Sequence, residues 1–178
     1  FQRGMRQLRQ RLGEIGEIEE ARYVAATSGA DGFEPSVRRR VLHEILPHPL
    51  SVFANLFDDR ALSADWQVLS DNEHRLELTT LYRSLRLGIV ISAKARPTCN
   101  GLTLTGDRAQ GFVDFFHGYS VVHRSADRRL GKALRPFRMA SANVQAAATN
   151  LVHRAHYRQP AYPGLPELIE SFYESAGN

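Results

Sequence analysis

The sequence predicts an α+β fold: an open, mostly antiparallel (mixed) β-sheet with helices packed on one face and the other face available for oligomerisation. Three observations carry this. Short runs of alternating apolar residues recur from 65 to 123, separated by tight turns. Apolar residues at helical spacing lie in the flanking parts of the chain. The length of 178 residues, 43% of them hydrophobic and 24% charged, suits a single domain over 1–178 with a full core.

The elements follow in order. Met5, Leu8 and Leu12 recur at helical spacing over residues 2–12, and Gly13 and Gly16 end that helix. Residues 17–27 read as a strand with Ile18, Tyr23 and Val24 as its heavier apolar members. Residues 29–35 form a turn-rich loop. Residues 45–57 suit a helix, and a proline is best tolerated in a first turn, so its regular part is expected to begin near Pro49. Strands are expected at 65–70, 75–83 and 86–94, with a short one around Leu102 and Leu104. Gly106-Asp107 turns the chain towards strands at 110–116 and 119–123, and Cys99 falls in a loop. Helix returns at 137–157, where Val144, Ala147, Ala148, Leu151 and Ala155 form a stripe. Pro160, Pro163 and Gly164 end it. Pro166 opens a last helix whose buried face is Leu168, Ile169 and Phe172.

Composition excludes several classes. No apolar run approaches the ~18 residues of a membrane span. The basic start lacks the apolar stretch of a signal peptide. The single cysteine, Cys99, rules out an internal disulfide framework and points to a reducing cytoplasm. The net charge of +4 permits nucleic-acid binding, but the arginines accompany no recognised binding motif, so no nucleic-acid partner is expected.

The stretch from Leu42 to Leu50 carries the most chemistry. Glu44 and His48 are four residues apart and lie on one face if the backbone is helical. Such a carboxylate can orient an imidazole for proton transfer. A hydrogen-bonded histidine at the start of a helix explains the same residues, and His43 reads as a neighbour. Towards the C-terminus, His153 and Tyr157 also share a helix face. His153 and His156 have a spacing that could hold a metal, but no carboxylate or cysteine completes the set nearby, so no metal is expected.

Four passages together resemble the C-terminal domain of the Gfo/Idh/MocA oxidoreductases, named for glucose-fructose oxidoreductase and inositol dehydrogenase. Leu12-Gly13-Glu14-Ile15-Gly16-Glu17-Ile18 is similar to the family's passage from helix into first sheet strand. Glu44 to His48, with Pro49-Leu50-Ser51-Val52-Phe53, is similar to its Asp-x-x-x-His followed by an apolar helix. Leu102 to Asp107 is similar to a strand and turn of its sheet, and Leu165 to Tyr173 to its closing helix. Glu44 stands where the family usually has Asp, and Ser51 where a second Asp often follows.

The resemblance implies a substrate-binding and oligomerisation domain of an oxidoreductase acting on a sugar, polyol or related hydroxy compound. It implies His48 as the acid/base group, Glu44 as its supporting carboxylate, and Arg3, His153 and Tyr157 as substrate contacts. It implies NAD or NADP as cofactor, held mainly by an N-terminal dinucleotide-binding domain. The sequence has no Gly-x-Gly-x-x-Gly turn and no Glu-Lys-Pro motif, so that domain is expected to lie outside this chain, and residues 1–178 alone are expected to be inactive. Homo-oligomers through the sheet face and a small-molecule substrate are the expected partners. The other reading is a binding or scaffold relative that kept the fold and lost the chemistry.

Overall fold

The structure of the chain is a computed structural model that describes residues 3–125 and 129–156. Its class is the α+β expected, with seven strands of mixed direction in a sheet that does not close. The chain packs as two compact units. One, the central unit, spans Ile18–Thr105; the other, the terminal unit, combines residues up to Glu17 with those from Gly106 onward.

In the central unit the strands are β1 (Ile18–Ala26), β2 (Gln67–Asp71), β3 (Arg75–Tyr82), β4 (Leu85–Ser92) and β5 (Cys99–Gly106), side by side in the order β2-β3-β4-β1-β5. β2, β3 and β4 are antiparallel neighbours, whereas β1 runs parallel to β4. The alternation read in the sequence fixes which residues face inward. Leu76, Ile91 and Ala25 form one buried row across three strands. Leu78, Ile89 and Tyr23 form the next, and Thr80, Leu87 and Ala21 a third. Thr80 is a buried hydroxyl in that apolar layer, and it donates a 2.8 Å hydrogen bond to the Asp65 carbonyl, which offsets its desolvation. Cys99 opens β5 rather than lying in a loop.

Helix α3 (Pro35–Ile45) was not legible as an element, because the run Arg38-Arg39-Arg40 interrupts its apolar residues. Yet Val37, Val41, Leu42 and Ile45 keep helical spacing, and Leu42 is fully buried. Pro35 sits in its first turn, where a missing N–H costs nothing. Helix α4 (Pro47–Leu56) starts two residues earlier than expected for the same reason, with Pro47 in its first turn. It buries Val52 and Phe53. The Phe53 ring stacks on Trp66 with centroids 6.0 Å apart, and Trp66 donates its indole N–H to the Ala61 carbonyl.

In the terminal unit, α1 (Arg3–Gln10) and α2 (Leu12–Ile15) bury Met5, Leu8 and Ile15 against β6 (Ala109–Asp114) and β7 (Tyr119–Arg124), an antiparallel hairpin. Gly16 ends α2 with φ +85°, in the left-handed region that favours glycine. Any β-carbon there would run into the Asp107 carboxylate, which accepts the Glu17 N–H at 2.7 Å.

After the short α5 (Arg129–Ala133), α6 (Arg135–His156) covers the expected long helix. Its inward face is not the apolar stripe. Val144 is 68% and Leu151 67% exposed, whereas Asn150 is buried and donates its side-chain N–H to the His117 carbonyl at 2.5 Å. A single satisfied amide and small alanines decide this face, because α6 approaches β7 closely. The expected closing helix at 165–173 lies outside the described residues.

Candidate functional site

The α3–α4 junction carries Glu44 and His48. Leu46, between the two helices, has helical dihedrals of −53° and −38°. Pro47 has no N–H, so the His43 carbonyl accepts from the Leu46 N–H instead, at 3.2 Å, and the ladder is interrupted. Glu44 therefore lies in the last turn of α3, while His48 lies in the first turn of α4. Both side chains are exposed. Glu44 faces Arg40, one turn back, at 3.6 Å, and no hydrogen bond joins it to His48.

At this junction the imidazole that meets a carboxylate is His43. Its Nε2 lies 3.1 Å from Asp71 Oδ1 at the end of β2. Arg39, on the same helix, donates two bonds to Asp71, at 2.9 and 2.6 Å. These two partners, Arg39 first and His43 second, hold the Asp71 carboxyl well below the usual carboxylate range. An imidazole bonded on one nitrogen is held in orientation with the other nitrogen left available. Sequence reasoning missed this pair, since Asp71 is 28 residues away and only strand β2 brings it to α3.

Arg3 lies in the terminal unit. It lines a cavity of about 440 Å³ with Gln7, Tyr119, Ser120, Gln145 and Thr149. Its Nη1 is buried without a hydrogen-bond partner. His153 is half-buried on α6, four residues beyond Thr149. Tyr157 lies outside the described residues. Among the described residues no three His, Cys, Asp or Glu side chains cluster so as to hold a metal, and no helix is long and apolar enough to cross a membrane.

Glu14 on α2 is held by two arginines of this unit. It accepts bonds from Arg11 at 2.9 and 3.0 Å and from Arg124 on β7 at 2.9 Å. Arg11 above all, then Arg124, brings its carboxyl down from 4.5 to about 2, against the upward push of burial. The unfolded chain then binds the proton first as the pH falls. The pairing stabilises the fold fully above about pH 4.5 and is lost as the pH drops towards about 2. Glu14→Gln is expected to flatten the fall of the urea unfolding midpoint over that interval. An unchanged slope in the variant would show that the pairing adds nothing to stability.

No family model matches the chain, and no curated protein matches it. Solved structures do. A protein of Magnetospirillum magnetotacticum MS-1 assigned as an oxidoreductase superposes with a TM-score of 0.53 at 17% identity, over 76% of this chain and 51% of its own. Levoglucosan dehydrogenase in complex with NADH gives a TM-score of 0.52 at 12% identity, over 71% of this chain and 41% of its own. The same enzyme with NADH and L-sorbose gives 0.51 at 11% identity, over 71% and 41%. This chain thus spans about half or less of the length of each. It shares the fold of part of these oxidoreductases, as the resemblance read in the sequence implied.

Proposed function

We propose that the chain is the substrate-binding part of an NAD(P)-dependent oxidoreductase acting on a sugar, polyol or related hydroxy compound. One observation carries the reading: passages that resemble one oxidoreductase family fall, in order, on a fold shared with oxidoreductases. The Gly13–Ile18 passage leads from α2 into β1, and the Glu44–His48 passage bridges α3 and α4.

In this reading His48, exposed in the first turn of α4, takes the proton of the substrate hydroxyl or returns it, work suited to an imidazole near neutral pH. Glu44 holds a neighbouring hydroxyl, its charge balanced by Arg40. Arg3, His153 and Tyr157 are further substrate contacts. The chain has no glycine-rich turn to cradle a pyrophosphate, so its residues do not fit a dinucleotide site. NAD or NADP belongs to a domain outside residues 1–178, and these residues alone do not turn over substrate. Association into homo-oligomers belongs to the same proposal.

A second reading, a binding or scaffold relative without chemistry, draws on the Glu44–Arg40 pairing and the missing bond from Glu44 to His48. His48→Ala in the intact protein separates the two. Loss of an acid/base group is expected to lower kcat about 10²-fold, with KM little changed. The thermal midpoint should not move, because His48 is exposed. An unaltered kcat would remove His48 from the chemistry, and no turnover on any sugar or polyol would favour the scaffold.

A further inference from the structure

A second cavity of the terminal unit, about 290 Å³, adjoins the one at Arg3 and shares Arg11, Val122 and Ala142 with it. Four guanidiniums line it, those of Arg11, Arg124, Arg135 and Arg138, together with His123. Glu14 compensates Arg11 and Arg124 as a shared partner. Arg135 and Arg138 meet no carboxylate among the described residues. They are three apart on α6, where like charges repel unless an anion lies between or over them. The field is felt by His123, whose imidazole is pushed below its ordinary value by burial and then by the Arg135 charge. Several arginines lining one small space suit the planar, multidentate recognition of phosphate oxygens.

The adjoining cavity has a different chemistry. Gln7, Gln10, Ser120, Gln145 and Thr149 line it with neutral donors and acceptors beside Arg3 and Arg11, and no carboxylate takes part. Hydroxyl groups are satisfied by such a lining. The two cavities share lining residues and are of small-molecule size. They do not form the open basic stripe that would follow a nucleic-acid backbone.

We infer that these two compartments form a binding site for a phosphorylated polyhydroxy compound, with the phosphate among Arg124, Arg135 and Arg138 and the hydroxyls along Gln7 and Gln145. The cavity given to the hydroxyls includes Arg3, a substrate contact of the redox proposal, but the inference concerns binding alone and its test reads binding without turnover.

Calorimetric titration of the full chain tests it with glucose 6-phosphate, inorganic phosphate and glucose, at one ionic strength set with chloride. Glucose 6-phosphate is expected to bind about tenfold more tightly than phosphate, and glucose far more weakly than either, since charge-assisted bonds are the stronger ones. The double variant Arg135→Ala, Arg138→Ala should weaken both phosphate ligands at least about tenfold. Both side chains are exposed, so its thermal midpoint should stay near that of the parent. Gln7→Ala with Gln145→Ala should bring glucose 6-phosphate down to the affinity of phosphate. No binding of either phosphate ligand, or equal binding to the arginine variant, overturns the site. Equal affinity of the parent for phosphate and glucose 6-phosphate overturns the polyhydroxy part. Binding of a short DNA duplex that displaces glucose 6-phosphate would make the surface a nucleic-acid one instead.

Discussion

Phe53→Ala is expected to destabilise the central unit by about 4 kcal/mol, the range for removing a fully buried ring. Phe53 has no exposed surface. Its ring stacks on Trp66 at 6.0 Å with planes 12° apart, and meets Phe57 at 6.3 Å and 37°. Aromatic pairs of this kind add to the burial itself. The alanine leaves a void that Trp66 cannot fill, because its indole N–H is tied to the Ala61 carbonyl. Urea unfolding followed by tryptophan fluorescence reads the loss directly, as Trp66 is the single tryptophan. A loss below about 1.5 kcal/mol, the level of a volume-conserving swap, would show that α4 is held by something other than this cluster. The prediction bears on function, because Phe53 anchors the helix that presents His48.

Gly106→Ala is expected to cost the terminal unit about 3 kcal/mol, at the upper end for overpacking. A β-carbon at Gly106 would stand 2.5 Å from the Ile15 carbonyl oxygen, 2.7 Å from Ile15 Cγ2 and 2.8 Å from the Glu17 carbonyl oxygen. Two of the three are backbone atoms, so no change of rotamer relieves the clash. The same carbonyls accept the Arg108 and Asp107 N–H groups, both at 3.1 Å, and those bonds lengthen if the backbones separate. Gly13→Ala is the control. Nothing lies within 4 Å of a β-carbon there, and alanine inside α2 should be neutral or stabilising by up to about 1 kcal/mol. Equal urea midpoints for the two variants would disprove the close approach at Gly106.

Much of the fold was legible because it is local. Leu76, Leu78 and Thr80 alternate with Arg75, Glu77 and Thr79, and that period survives unchanged as the two faces of β3. The Gly13–Ile18 passage was legible in part: Gly16 ends α2 in a backbone conformation that other residues adopt at a cost, but Gly13 lies inside α2 rather than ending a helix. Less of the site could be read. Spacing alone puts Glu44 and His48 on one helix face, yet Pro47 divides that helix and Arg40 claims the carboxylate. The stripe of Val144 and Leu151 has the right period for a buried face, but the period does not say which face a neighbour approaches. On α6 the small residues and Asn150 allow β7 to come close, and the larger apolar residues stay outside.

By itself the sequence determined most of the strand segments, the turns between them, and the α+β class. These follow from side-chain periodicity and backbone preference over a few residues. Only the tertiary structure decided that β1 runs parallel to β4, with Tyr23 beside Ile89, and that Asp71 meets Arg39 and His43. It alone decided that Arg11 and Arg124 converge on Glu14, and that Arg135 and Arg138 line the same cavity without a carboxylate partner among the described residues. Each of these joins residues far apart in the chain. Such contacts form when burial and charge pairing outweigh the entropy of closing the intervening loop, and no local pattern records that balance.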